Sequence, residues 1–186
     1  LINNAIGGST TESWIDRHTI EHNPVLVDLL YNWSKNDFID NWVRSRAALN
    51  IKQAKDPHQR HPYHPAYLYE SAIAPINNFN IAGVIWYQGE SNAHNVEHHE
   101  VLLPAMVESW RKAWGEQLPF YYTQLSSMKY GRETWGHFRD SQRRLLDKIP
   151  LSAMAVTSDV GAENDVHPSQ KREVGERLAR WALADT

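Results

Sequence analysis

The sequence predicts an α/β fold: a mostly parallel sheet between two layers of helices, in three αβα layers. Two observations carry this. Short runs of apolar, β-branched and aromatic residues alternate with longer runs of helical periodicity, the pattern of successive βα units. The clearest strand, Gly83-Val84-Ile85-Trp86-Tyr87, stops abruptly at the polar cluster Gln88-Gly89-Glu90-Ser91-Asn92. In an open parallel sheet a buried strand delivers such groups to its carboxyl end, where these folds place their sites. A core strand ending in an ordinary turn would read the same from spacing alone.

The elements follow in order. Leu1 to Ile6 reads as a short strand, and Gly7 to Trp14 as a turn whose paired glycines allow close backbone approach to a ligand. Pro24 opens a long amphipathic helix with Leu26, Leu29, Leu30 and Trp33 at helical spacing. It continues, with a break, through Phe38, Trp42, Val43 and Leu49. Residues 52–65 carry Pro57, Pro62 and Pro65 and read as a loop. Tyr67 to Ile76 is a short helix ahead of the Gly83 strand.

A helix follows from Val96 to Trp114, with Val101, Leu102, Ala105, Met106 and Trp110 on one face. Pro104 bends it or marks its start. Pro119 to Leu125 is a strand, Phe138 to Ile149 a basic amphipathic helix, and Leu151 to Thr157 a strand. A polar loop, Ser158 to Pro168, then leads into a closing helix, Pro168 to Ala184. The basic run Arg139, Arg143, Arg144, Lys148 is read as a solvated face. No internal repeat or low-complexity segment interrupts this order.

The bulk numbers narrow the function classes. A chain of 186 residues suits one α/β domain or a large piece of one. With 41% hydrophobic and 22% charged residues, its composition is that of a globular protein. A net charge of -3 argues against a nucleic-acid partner. No apolar run reaches the roughly 20 residues that span a bilayer. With no cysteine, disulfides and thiolate metal sites are excluded. The chain opens on Leu1 inside an apolar run, so the expectation is that the true amino terminus lies upstream. Eight tryptophans and ten histidines suit a polar, aromatic-lined pocket.

Three loops rich in catalytic residue types each follow a strand: Gly7 to Trp14, Gln88 to Asn92, and Asp159 to His167. In a parallel sheet they emerge at one edge and converge. Asp165-Val166-His167-Pro168 offers a histidine base with a carboxylate to orient it, although a lone Asp-x-His is a weak signal. Ser91, in Gly89-Glu90-Ser91-Asn92-Ala93, begins a Gly-x-Ser-x-Gly elbow, but Ala93 stands where the second glycine belongs. His94 and His98, four apart, could face one way and hold zinc. No His-Glu-x-x-His completes that set. Trp14 and Trp135 could stack on a sugar ring, against the ordinary expectation that tryptophans are core.

Trp86-Tyr87-Gln88-Gly89-Glu90-Ser91-Asn92-Ala93 resembles the signature of the sialate O-acetylesterase-like carbohydrate esterases, within the SGNH hydrolases. So do Asn3 to Trp14 with its Glu12-x-Trp14, Leu68 to Pro75, Trp110-Arg111, Pro119-Phe120-Tyr121, Arg139 to Gln142, Asp165 to Pro168 and Val174 to Leu178. The resemblance covers nearly the whole chain. It implies an SGNH (flavodoxin-like) domain truncated at its amino terminus, residues 1–186 forming the C-terminal part. It also implies a serine esterase that removes O-acetyl groups from sialic acids or polysaccharides, without metal or other cofactor. Members often act outside the cytoplasm: secreted, periplasmic or lysosomal.

In the family the attacking serine sits upstream of the Gly-Gly-Ser turn, on a segment missing here. That segment is therefore the expected protein partner, an acetylated carbohydrate the expected ligand, and nucleic acid and membrane are not expected. By the same resemblance His167 is the base and Asp165 orients it, unless a backbone carbonyl of that loop does. Gly7 or Gly8 gives an oxyanion N–H, and Gln88 or Asn92 an amide donor, Gln88 favoured by its place at the strand end. Glu90 ties the loops together and Ser91 is structural. The competing readings are an inactive fragment, one half of a cleaved two-chain enzyme, or an α/β-hydrolase-like esterase using Ser91.

Overall fold

The computed structural model describes residues 1–56, 58–129 and 133–184. Its centre is a three-stranded parallel sheet in the order β1 (Val84–Trp86), β2 (Phe120–Thr123), β3 (Ser152–Ala155). Val84 aligns with Phe120, and Phe120 with Ser152. Side chains alternate across a strand, so this register sorts the sheet into two faces. Val84, Trp86, Phe120, Tyr122 and Met154 enter one apolar core, while Tyr121, Ala153 and Ala155 enter another.

The first face is covered by α3 (Val96–Trp114) and the N-terminal segment. Asn95 caps α3 by accepting from the His98 N–H, and Gly115, in the left-handed region at φ 67, ends it. Pro104 lies inside this helix, not at its start. The second face is covered by α5 (Lys171–Ala184), which buries Val174 and Leu178 against β2 and β3. Helices on both faces of a parallel sheet make an α/β sandwich, as the alternation of patterns predicts. α4 (Trp135–Arg144) continues into a 3₁₀ turn, Leu145–Asp147. Its Arg143 and Arg144 are paired with Asp140 and Glu100 in solvent, but Arg139 turns inward to donate to Leu125 O at 2.8 Å.

Two expectations fail in the first fifty residues. Leu1 to Ile6 is not a strand: Asn4 Nδ2 donates to Ala72 O at 2.8 Å, while Leu1, Ile2 and Ile6 stay exposed. The long helix from Pro24 is broken into 3₁₀ turns at Val27–Leu30 and Trp33–Lys35, after the short helix α1 (Arg17–Glu21). Asn32 adopts the left-handed region at φ 47, which no helix interior accepts. The Asn36 side chain holds the break by donating to Asp28 O at 2.7 Å. A regular helix, α2 (Asn41–Ile51), begins only after Asp40, whose carboxylate caps the Trp42 N–H. The proline-bearing loop of residues 52–65 is irregular as expected, with Pro57 outside the described residues. Tyr69–Ile73 forms a π-helical turn leading into a 3₁₀ turn at Ala74–Ile76.

Candidate active site at the carboxyl edge of the sheet

Three tryptophans fix the first loop to the sheet. Trp14 stands edge-on to Trp86 of β1, with centroids 5.7 Å apart, and Trp86 edge-on to Trp110 of α3 at 5.9 Å. Trp110 Nε1 donates to Trp14 O, and Trp14 Nε1 to Ser9 Oγ. Such packing places the Gly7–Trp14 turn beside the end of β1. It also excludes Trp14, 3% exposed, from stacking on a ligand. Trp135 is likewise excluded, since it is buried and donates from Nε1 to Ser126 O.

A buried polar seam joins that turn to the Gln88–Asn92 loop. Asn92 Oδ1 accepts from the Thr11 N–H at 3.0 Å and from Gln88 Nε2 at 2.7 Å, with the Thr11 hydroxyl at 3.2 Å. Gln88 Nε2 also donates to Ser9 O, and Gln88 Oε1 accepts from Thr11 Oγ1. Asn92 Nδ2 donates to Glu12 Oε2 at 2.9 Å. An amide nitrogen carries two N–H groups. Both of Gln88's are therefore spent inside the seam, which corrects the preference for Gln88 as the oxyanion donor. Asn92 has one N–H beyond its bond to Glu12.

Glu12, 1% exposed, is the residue that sequence reasoning missed. Its only signal was its place in the Glu12-x-Trp14 block. Burial pushes its carboxyl above the usual carboxylate range, and the Asn92 amide opposes this by donating to it. The tie between the loops is thus made by Glu12, Gln88 and Asn92, not by the Glu90 side chain. Glu90 is only partly buried. Its carboxyl is raised chiefly by desolvation, with the charges of His167 and Lys171 acting against the rise.

Of the paired glycines, the turn's shape calls for Gly8. Gly8 lies in the left-handed region at φ 73, and a Cβ there would overlap Tyr63 Oη. The turn's carbonyls are occupied: Gly7 O accepts from Tyr63 Oη at 2.9 Å, and Gly8 O from Ser91 Oγ at 3.0 Å. Among the described residues the N–H groups of Gly7 and Gly8 carry no hydrogen bond. Ser91, 7% exposed, is thereby committed to a carbonyl.

The third loop brings Asp165 and His167. The carboxylate accepts from the His167 N–H at 2.8 Å and stands 3.1 Å from its Nδ1. These bonds, the backbone N–H first, hold the Asp165 carboxyl below its ordinary range. Both side chains are largely exposed, His167 at 82%. The loop's base is held by Arg177 of α5, bidentate to Asp159 at 2.6 Å on each oxygen, which lowers that carboxyl to about 2. A second clamp joins Lys129 Nζ to Glu163 at 2.6 Å. Beside the loop, Lys171 Nζ lies 4.8 Å over the Tyr87 ring.

The histidine pair of the zinc reading is employed elsewhere. His94 Nε2 lies 3.0 Å from Phe38 O, and the His98 ring stacks on Phe38. Among the described residues no group of three His, Asp or Glu is placed to hold a metal ion. A cleft of about 680 Å³ lined by Pro104, Glu108, Arg111 and Pro150 lies near the start of β3, away from all three loops. Arg111 there is spent on the Leu118 and Pro150 carbonyls. No helix among the described residues is long and apolar enough to cross a membrane.

Comparison with known proteins identifies the family. The profile of the family described as "Carbohydrate esterase, sialic acid-specific acetylesterase" matches residues 39–184. The mouse sialate O-acetylesterase is 31% identical over 144 residues, 66% of this chain and 27% of its own length. The human sialate O-acetylesterase is likewise 31% identical, over 66% of this chain and 28% of its own length. The chain thus spans little more than a quarter of these relatives. A crystal structure of a carbohydrate acetylesterase from Xanthomonas citri superposes with a TM-score of 0.69 at 32% identity, covering 95% of this chain and 34% of that one. The chain belongs to the sialic acid-specific acetylesterase family of carbohydrate esterases.

Proposed function

We propose that this chain supplies the base and most of the oxyanion hole of a serine esterase that removes O-acetyl groups from sugars. The observation that carries the reading is the seam joining the Gly8 turn to Asn92, which leaves donors of both loops unspent at the carboxyl edge of the sheet. Residues 1–186 are then the C-terminal part of one SGNH-type domain. The nucleophilic serine comes from a segment outside them, running as a strand beside β1. That edge of β1 is unpaired among the described residues, and Ile85 is 60% exposed there.

In this mechanism His167 Nε2 takes the serine proton while Asp165 holds Nδ1 and stabilises the imidazolium. The serine oxygen attacks the acetyl carbonyl, whose oxygen becomes anionic and is met by the Gly8 N–H and the second N–H of Asn92. Each such donor is worth about 3 kcal/mol in the transition state. His167 then returns its proton to the departing sugar hydroxyl, leaving an acetyl-enzyme. Water, deprotonated by His167, cleaves that ester to acetate and restores the serine. No step calls on a metal or cofactor. In this reading the sugar is an O-acetylated sialic acid or an acetylated polysaccharide, and the enzyme acts outside the cytoplasm or in lysosomes, a reading supported by family resemblance.

Acetate release from an O-acetylated sugar tests this directly. The full-length protein is expected to release acetate, and the 186-residue chain by itself to release none. Release by the chain alone would overturn the upstream nucleophile and restore Ser91 to that role.

A further inference from the structure

The sugar itself needs a surface, and the buried tryptophans cannot provide one. Trp14, Trp86, Trp110 and Trp135 are all core. Trp42, the second residue of α2, is 50% exposed. It stands at the glycine turn: a Cβ on Gly8 would lie 3.0 Å from Trp42 Cη2, so the rim of the indole borders the Gly8 Cα. From residues that place Trp42 here and fix its ring, we infer that Trp42 is a stacking platform for the sugar ring of the substrate, a subsite beside the oxyanion turn.

The ring is held by its neighbours. Asp40 caps the Trp42 N–H at 2.7 Å, fixing the start of α2. Tyr63 lies behind the indole, nearly parallel at 30° with centroids 6.3 Å apart. Tyr63 is itself 7% exposed and bonds through Oη to Gly7 O at 2.9 Å. One connected unit therefore sets both the platform and the turn that carries the proposed oxyanion donors. Beside Tyr63 the Trp42 side chain keeps half of its surface in solvent.

The chemistry fits a pyranose. Its axial C–H groups form an apolar face, its hydroxyls an equatorial polar rim, and an indole offers a flat apolar partner with a negative π-face. Only the ester linkage separates the acetyl carbonyl at Gly8 from the sugar carbon, so a ring attached there lies within reach of Trp42. Leaving an indole half in water forgoes burial of one of the largest apolar side chains, and a stacked ligand recovers it. The other exposed tryptophan, Trp181, sits on α5 and donates to Met154 O, remote from this turn.

This inference rests on the proposed oxyanion role of Gly8, and the test separates the two. In the full-length enzyme, Trp42→Ala and Trp42→Phe are compared on an O-acetylated sugar and on ethyl acetate, which has no ring to stack. The expected result for Trp42→Ala is about a tenfold rise in KM for the sugar ester, with ethyl acetate turnover within twofold of wild type. Trp42→Phe, the variant that preserves packing on Tyr63, is expected to lie between. Equal loss on both substrates, or an unchanged KM for the sugar in both variants, would overturn the platform. Calorimetric binding of the deacetylated sugar provides an arm independent of catalysis, with about tenfold weaker binding expected in Trp42→Ala. If the enzyme hydrolyses neither ester, the esterase reading fails while this binding arm still decides the subsite.

Discussion

The two halves of the candidate site are built on opposite principles. The Glu12–Gln88–Asn92 seam is buried, with nearly every polar atom committed to another. The Asp165–His167 pair stands in solvent on a loop held by the Arg177–Asp159 and Lys129–Glu163 clamps. A buried hydrogen-bonded group contributes to stability and to geometry at once, because removing it strands its partners without water. An exposed pair contributes little to folding. The seam and the pair should therefore respond differently to the same kind of substitution, and four measurements can break or sharpen that contrast.

The largest effect is expected in the exposed half. In the full-length enzyme, His167→Ala lowers kcat about 10⁴-fold while the midpoint of thermal unfolding stays put, surface changes being worth within about 0.5 kcal/mol. Asp165→Ala follows with a loss of about 10³- to 10⁴-fold. Unchanged turnover in that variant would hand the orientation of His167 to a backbone carbonyl. Hydrolysis that survives His167→Ala would remove His167 as the base.

Asn92→Ala comes next and strikes both properties. It deletes an oxyanion donor, for about 10²- to 10³-fold in kcat. It also leaves Glu12, the Thr11 N–H and Gln88 short of partners, for about 1–3 kcal/mol of stability for each stranded group at most. Kinetics together with chemical denaturation would show this, and a variant that is slow but fully stable would break the contrast drawn above.

Two buried titratable groups put opposite slopes on stability against pH. The Glu12 carboxyl is raised by burial, so its contribution is intact below 4.5 and is lost as pH rises through its folded value. Glu12→Gln should therefore gain stability over wild type as pH climbs past 4.5. His99, 1% exposed, packs its ring on Phe138 and has no hydrogen-bond partner for either nitrogen among the described residues. Burial lowers it from 6.5 to about 3, so stability is full above 6.5 and falls as pH drops from there toward 3. His99→Leu should flatten that acid limb in thermal melts from pH 7 to 3. Wild-type slopes in both variants would discount burial as the cause.

The smallest effect is expected at Ser91. Its hydroxyl makes one bond, to Gly8 O, so Ser91→Ala should change kcat by less than about fivefold and stability by about 1 kcal/mol. A loss of a thousandfold would make Ser91 the nucleophile after all.

Much of the architecture was legible because it rests on periodicity. The helix from about Val96 to Trp114 was readable because an apolar face over five turns is a local signal, although Pro104 left its start open until the structure placed the proline inside the helix. β1 and β2 were readable because they are rich in β-branched or aromatic residues, whereas β3, Ser152-Ala153-Met154-Ala155, was readable only within the longer apolar run around it. The N-terminal fifty residues were not, because what shapes them is distant or idiosyncratic: a left-handed Asn32, and an Asn4 bond to Ala72. An apolar run becomes a strand only when an edge accepts it, and the run from Leu1 to Ile6 meets none.

The sequence by itself determined the layers, the three loops and the residue types they carry. Hydrophobic pattern and turn chemistry act over a few neighbours, and those neighbours are written in order along the chain. Tertiary structure alone decided which groups are spent and which are left over. The Gln88 amide is consumed by Ser9 and Asn92, Glu12 rather than Glu90 ties the loops, and Trp42 rather than Trp14 meets solvent. The Gln88–Ser9 and Asn92–Glu12 bonds join residues 79 and 80 apart, and hydrogen-bond accounting closes only when every partner is in place.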